Sequence, residues 1–413
     1  MNDYQKQRRE FYRQLPDFWS DINDAEYSLF HVLPLKKELI DKVKLATETM
    51  MAIFSKTARL LRQLPEEQLL DLGFPTESLA FIKMKQFFPE TIIGRFDFVN
   101  TTDGLKLLEF NSDTPTFIKE CFKINGVVAR KFGFSDPNRN EEALLASAIN
   151  KAILESAKLV AGNAQPNVVF TAHHDHVEDW NTIRYLSGFC NVEHQLIPLQ
   201  NLRISDDALI DSDGLPIDVL YRQTYPLEHM LEDKDPITDD KTGIKLLELV
   251  KRGKLAILNP PSAFLLQPKT IQALIWGLAE ASRFFTKEEC EAIKTYMLPT
   301  YLEADAFLGS TAFVKKPSLG REGDTITIYD QNHCELLKNK IRTFENETAV
   351  FQQYISLPKI RLETEKGEEE LSYLIGSFTI AGKSSAIGVR AGEKITGNES
   401  YFLPVGIHSK EEK

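Results

Sequence analysis

Cysteine is scarce in this chain. Its 413 residues include four, Cys121, Cys190, Cys290 and Cys334, widely spaced and without a C-x-x-C pair. That excludes a disulfide framework and a zinc ribbon. No apolar run approaches the ~18 residues that would suggest a membrane span. The charged opening MNDYQKQRREFYRQL lacks the apolar segment of a secretory signal. Basic residues are outnumbered, giving a formal net charge of −11. This argues against a nucleic-acid partner, whose phosphates need a basic footprint. No G-x-x-x-x-G-K-[ST] loop occurs, so any nucleotide must be held by other means than a Walker A motif. What remains, 42% hydrophobic and 26% charged residues, is the balance of a soluble globular protein. The expectation is a cytoplasmic protein without a membrane partner, of two to three domains or one large intertwined unit.

The densest chemistry lies in RFDFVNTTDGLKLLEFNSDTPT, residues 95–116. Two extended runs flank a turn at Asn100–Gly104, where Gly104 can take a positive φ. Side chains alternate along a strand, so Arg95 and Asp97 share one face, as do Glu109 and Asn111. A hairpin would gather one cation and three oxygen donors, Asp97, Glu109 and Asn111, of the hard kind Mg²⁺ takes. Thr114 and Thr116 add hydroxyls on a turn stiffened by Pro115.

This stretch resembles the signature of the glutathionylspermidine synthase family, ATP-grasp acid–amine ligases, and further blocks extend the resemblance over roughly residues 80–405. It implies an α/β (α+β) chain with the ATP-grasp fold of the glutathione and glutathionylspermidine synthetase type. The cofactors it implies are ATP and Mg²⁺, and the reaction is amide formation through an acylphosphate. Its partners would be a small peptide-like acid and a polyamine-like amine. The oligomeric state is left open, a homodimer being one alternative. In this reading Arg95 orients the γ-phosphate or the carboxylate, and Thr114 and Thr116 bind the acid. No segment like the family's amidase domain is read ahead of the ligase region, so product hydrolysis is not expected.

In chain order, residues 1–90 read as an N-terminal helical segment without chemistry, with a helix over 36–63. Residues 91–240 form the region of Mg²⁺ and substrate motifs. A strand at 166–171 and another at 192–198, joined by a helix opening at Thr182, make a βαβ unit with a parallel sheet. Between them lie His173, His174, Asp175, His176, Glu178 and Asp179. The resemblance turns Glu178 and Asp179 toward the amine, where two carboxylates can hold an ammonium and accept a proton. The Tyr221–Glu228 block is similar to a family Y-R-x-x-P-x-E motif but carries an added residue, so no role is transferred to it.

Residues 241–405 form the nucleotide-binding region, and 406–413 a frayed tail. A helix beginning at Gln267 places Lys269 in its first turn, against the helix dipole, and a bound anion would offset that conflict. Strand 313–316 leads into a loop punctuated by Gly320 and Gly323, whose backbone N–H groups can meet phosphate. By resemblance Lys269 and Lys316 contact the α- and β-phosphates, while Lys315 faces the other way into solvent. Gln352 or Gln353, on a strand like the family's hinge, would bind adenine. Residues 360–370 read as an acidic mobile loop. Arg390 would pair with the substrate carboxylate or the γ-phosphate, and the role of Asn398-Glu399 is left open. Two alternatives remain: a nucleotide-binding regulatory module without turnover, and a metallohydrolase built on the His173–His176 cluster.

Overall fold

The hairpin read from the sequence forms one end of a six-stranded sheet. In the computed structural model, strand Ile93–Thr101 pairs antiparallel with Gly104–Asn111, setting Asp97 opposite Glu109 and Arg95 opposite Asn111. The described residues are 2–86, 89–160, 165–224, 226–395, 397 and 400–408. Asn398-Glu399 and the tail beyond His408 lie outside them. One hairpin face carries the polar set. On the other, Phe96 stacks on Phe110 with ring centroids 3.8 Å apart, and Phe54 meets both edge-on. Phe54 belongs to helix Lys37–Leu61, whose apolar stripe covers this face.

The hairpin is part of a six-stranded antiparallel sheet that also uses Lys359–Thr364, Gly367–Ile380, Lys383–Gly392 and Tyr401–Leu403. One sheet therefore joins strands from residues 93–111 and 359–403. Gly376 lies opposite Asp97, and a Cβ there would come within 3.1 Å of Arg95 Cδ, so a glycine makes room for the guanidinium. The mobile loop expected at 360–370 is instead two paired strands with a tight turn between them. Its charges alternate with half-buried apolar residues and pair across the strands, as in Lys359–Glu370 at 2.6 Å. Charge density there marked a solvated strand face rather than disorder.

A second, parallel sheet runs Ala256–Leu258, Val219–Gln223, Val168–Ala172, His194–Leu196. Its connecting helix is Val177–Ser187, so it starts ahead of the expected Thr182 and takes Glu178 and Asp179 into its first turn. Acids there complement the helix dipole. The third sheet is antiparallel, in the order Thr300–Tyr301, Ala349–Gln353, Phe313–Pro317, Thr327–Tyr329, Glu335–Lys338. Beside it, helix Thr270–Glu280 begins just after Lys269, which is its cap residue and not part of its first turn. Among the described residues no helix is long and apolar enough to cross a membrane.

Candidate active site

The turn after the hairpin is fixed from three sides. Gln267 Oε1 accepts from the Ser112 and Asp113 backbone N–H groups at 2.9 and 3.3 Å. Asp113 is buried and binds Arg222 Nη2 at 2.6 Å and the Leu227 N–H at 2.9 Å. Gln223 Nε2 donates to Pro115 O at 3.3 Å. The Tyr221–Glu228 block, given no role from the sequence, thus holds the threonine turn in place. Thr114 and Thr116 then line a cavity of about 610 Å³, together with residues of the six-stranded and parallel sheets and of the loop at 320–322.

One end of this cavity is cationic. Arg95, Lys269, Arg321 and Arg390 line it together with Glu109, Asn111 and Gly320. Arg95 chelates Asp97 through Nε (2.7 Å) and Nη2 (3.0 Å) and donates through Nη1 to Thr116 O at 2.8 Å. Burial works against its charge, but Asp97 and then Glu109 hold it firmly protonated. Asp97 itself lies behind the wall, 1% exposed. Asn111 Nδ2 faces Asp97 at 3.4 Å, which leaves its carbonyl oxygen for a cation. Lys269 Nζ sits 3.3 Å from Glu109 Oε2 and donates to Gly320 O at 2.6 Å. Burial alone would raise the Glu109 carboxyl. Lys269, Lys316, Arg95 and Arg390 outweigh it and bring that group down to about 2. Lys316 is buried beside this end with Nζ 2.7 Å from Gln352 Oε1, and desolvation lowers it to about 8 despite the pull of Glu109.

The glycine loop is anchored more firmly than its composition suggests. A Cβ on Gly320 would fall 2.2 Å from Pro317 Cγ, and Gly323 has φ +71°. Arg321 forms an ion pair with Glu228, and Asn339 Nδ2 binds Gly323 O at 2.7 Å. Gly323, Gln352 and Gln353 lie outside the lining. Gln352 is enclosed by Lys316, Thr300 and Gln272, and Gln353 N pairs with Pro299 O.

The other end is acidic. Glu178 and Asp179 line it beside His176 and Glu322, and Arg390 acts on Glu178 as well as on Glu109. His176 Nδ1 lies 2.9 Å from Asp179 Oδ2, and this contact raises the imidazole to about 8. Burial, with Glu120 and Asp179 nearby, pushes Glu178 up to about 8. The histidine cluster does not assemble as a metal centre. Among the described residues no three His, Cys, Asp or Glu side chains are grouped to hold an ion, His174 packs edge-on against Trp180, and His176 pairs with Asp179.

The N-terminal segment, expected to carry no chemistry, forms one wall of the cavity through Ile22, Asn23, Ala25, Glu26 and Tyr27. A two-residue turn with positive φ at Asn23 and Asp24 joins Asp21–Ile22 to Ala25–Glu26. The Asn-Asp pair was a turn signal, but nothing local revealed what the hairpin would face.

A family model described as "Glutathionylspermidine synthase preATP-grasp" matches residues 9–408. A Haemophilus influenzae protein provisionally named an acid–amine ligase is 23% identical over 325 residues, covering 76% of this chain and 74% of that protein. The Escherichia coli bifunctional glutathionylspermidine synthetase/amidase is 22% identical over 340 residues, 77% of this chain and 50% of its own length. Trypanothione synthetase from Crithidia fasciculata is 22% identical over 369 residues, 83% of this chain and 51% of its own. The chain thus spans about half the length of the latter two relatives. The solved structure of a glutathione synthetase-like effector from Globodera pallida superimposes with a TM-score of 0.60 at 12% identity, covering 98% of both chains. The fold is therefore of this ATP-grasp type.

Proposed function

The chain belongs to the glutathionylspermidine synthase family of ATP-grasp acid–amine ligases, and from that premise we propose that it joins a peptide-like carboxylate to a polyamine-like amine at the expense of ATP. The observation that carries this reading is the charge of one cavity: Arg95 and Lys269 beside Glu109, Glu178 and Asp179 beside His176, Arg390 acting on both Glu109 and Glu178, and Thr114 and Thr116 on its wall. A carboxylate and a polyphosphate fit the first group and an ammonium fits the second.

A carboxylate oxygen is a poor leaving group. Transfer of the γ-phosphoryl group to it gives an acylphosphate, from which the attacking amine expels phosphate. Lys269 and Lys316 would neutralise the α- and β-phosphates, and Arg95 and Arg390 would orient the γ-phosphoryl group and the acid. Thr114 and Thr116 would position the acid's carboxylate. Glu109 and Asn111 face the cavity with hard oxygens that suit Mg²⁺. Asp97 is their third member; chelating Arg95 uses two of its roughly four lone-pair sites. When bound, Mg²⁺ would neutralise charge on the transferring phosphoryl group. Gln352 or Gln353 would serve the base, and Gly320 and Gly323 the phosphates through the loop backbone. Glu178 or Asp179 would take the proton the amine must lose before attack.

The test is phosphate release from Mg·ATP with glutathione and spermidine, the pair suggested by the names of the relatives, and then with wider acid and amine panels. Release that needs both an acid and an amine, with an amide of the summed mass less water, is the expected result. Release indifferent to every acid and amine would overturn the reading.

A further inference from the structure

One member of the histidine cluster, His176, stands in the cavity wall beside Glu178, Asp179 and Glu322. It is the cap residue of helix Val177–Ser187, which follows the strand Val168–Ala172 of the parallel sheet. Its side chain is 55% exposed and so open to a ligand, while that of Asp179 is 16% exposed.

The imidazole Nδ1 lies 2.9 Å from Asp179 Oδ2 and 3.3 Å from the Asp179 backbone nitrogen. One nitrogen cannot donate to the carboxylate and accept from the amide at the same time. The carboxylate contact is shorter and charge-assisted, so it assigns the proton to Nδ1. Both contacts run through Nδ1, which leaves Nε2 with a lone pair whenever the ring is neutral. Charges on two elements act on the ring. Asp179 and Glu178 from its own helix and Glu322 from the glycine loop raise it, and burial opposes them. The adjoining Glu178 is acted on in turn by Glu120, of the π-helical turn Glu120–Ile124, and by Arg390 of the six-stranded sheet. A cation stabilises a carboxylate and disfavours a second cation. An ammonium bound here would therefore favour the ionised Glu178 and the neutral imidazole. Arrival of the amine makes Glu178 a counter-charge and His176 a base.

We propose that His176 is the catalytic base of amide formation and that Asp179 is the residue positioning its ring. The inference rests on the ligase reading and specifies how Asp179 serves it, through the imidazole and not by taking the proton itself. An aliphatic amine meets the acylphosphate as an ammonium with two protons to lose. The first passes to His176 Nε2. The freed lone pair forms the C–N bond to the acyl carbon. The acyl C–O bond breaks, its electrons leave with phosphate, and the phosphate carries the second proton away. Asp179 stabilises the imidazolium without becoming protonated. The substrate class that needs this device is a basic alkylamine.

The test compares two acceptors for the same acylphosphate. Spermidine must be deprotonated, whereas hydroxylamine is uncharged at neutral pH and traps acylphosphates as hydroxamates. Wild type, His176→Asn, His176→Gln and Asp179→Asn are given Mg·ATP, glutathione and either acceptor, with circular dichroism to report folding. His176→Asn keeps an oxygen able to cap the helix, so it separates the base from the cap. It should lower kcat for the spermidine amide by about a hundredfold or more, the scale of general-base catalysis, and keep hydroxamate formation within about threefold. Asp179→Asn should move the acid limb of the spermidine kcat–pH profile to lower pH, because the contact that raises the imidazole is gone. Near-wild-type amide formation in His176→Asn and His176→Gln overturns the proposal, as does an equal fall with both acceptors. An unmoved acid limb in Asp179→Asn overturns the pairing. If His176→Asn does not fold, His176→Gln decides. A wild type that gives neither hydroxamate nor amide with any acid of the panel removes the ligase reading instead, so the two failures are distinct.

Discussion

Lys316 Nζ reaches Gln352 Oε1 at 2.7 Å across two antiparallel strands, in which Lys316 lies opposite Val350 and Gln352 opposite Val314. The two are diagonal neighbours on one sheet face. Gln352 donates in turn to Thr300 Oγ1 at 3.2 Å, so the lysine is held from behind. Lys315 faces the other side and is only half-buried. Lys316→Ala should therefore cost about 1.5–3 kcal/mol in nucleotide affinity, roughly 10- to 150-fold. Lys315→Ala should change it by less than about threefold. Calorimetric titration with Mg·ATP separates them, and a damaging Lys315→Ala would move the nucleotide to the opposite sheet face.

Glu109 stays ionised because four cations surround it. Glu109→Gln keeps its size and removes its charge, and should lower ligase turnover by about a hundredfold, a few kcal/mol of lost charge stabilisation. Asn111→Asp adds a carboxylate beside Asp97 and Glu109 and should also impair turnover. Circular dichroism should remain native for both. Wild-type turnover in both variants would remove the metal assignment.

These two sites were legible because their chemistry is local. Arg95, Asp97, Glu109 and Asn111 lie on one short hairpin whose period-two alternation predicts its own face. Lys316 could be separated from Lys315 by the same rule. What stayed hidden depends on distant pairing. Arg8 meets Glu365 across 357 residues and Arg222 meets Asp113 across 109. Neither partner's neighbourhood carries any mark of the other. The N-terminal wall and the role of the Tyr221–Glu228 block are both consequences of such pairs. The pairing of 359–364 with 367–372 was missed for another reason: its acidic residues read as loop, although every second position is at least partly buried.

Glu178 makes stability depend on pH. Its carboxyl moves from an ordinary 4.5 to about 8 on folding. Between those values the folded protein holds a proton that the unfolded chain has released, so stability falls as pH rises. The contribution is complete below about pH 4.5 and lost by about pH 8. Glu178→Gln should flatten this slope. Urea midpoints at pH 5 and pH 8 measure it, and equal slopes in wild type and variant would show that the group is not proton-bound in the folded state.

The Arg222–Asp113 pair is buried on both sides, at 2.6 Å. Arg222→Met leaves the Asp113 charge in the interior and should destabilise the protein by about 3–5 kcal/mol. Adding Asp113→Asn removes the stranded charge and should restore much of that. The urea midpoint is the measure. Recovery of stability without recovery of activity would follow if the pair's main task is to aim Thr114 and Thr116.

Lys269 donates to Gly320 O and lies 3.3 Å from Glu109 Oε2, so its third N–H can meet a phosphate while the loop carbonyl stays in place. The same loop is latched at its next residue by the Arg321–Glu228 pair. Two contacts therefore hold residues 320–323 before nucleotide arrives, and breaking either should loosen them. Hydrogen exchange in a peptide spanning 319–325 should quicken in Glu228→Gln and in Lys269→Met, because local opening loses a charge-assisted bond in each. In the wild type, Mg·ATP should slow exchange there, since phosphate oxygens would bridge Lys269 and the loop backbone. If exchange is the same in all three proteins and with nucleotide, the loop does not cover the phosphates and neither contact holds it.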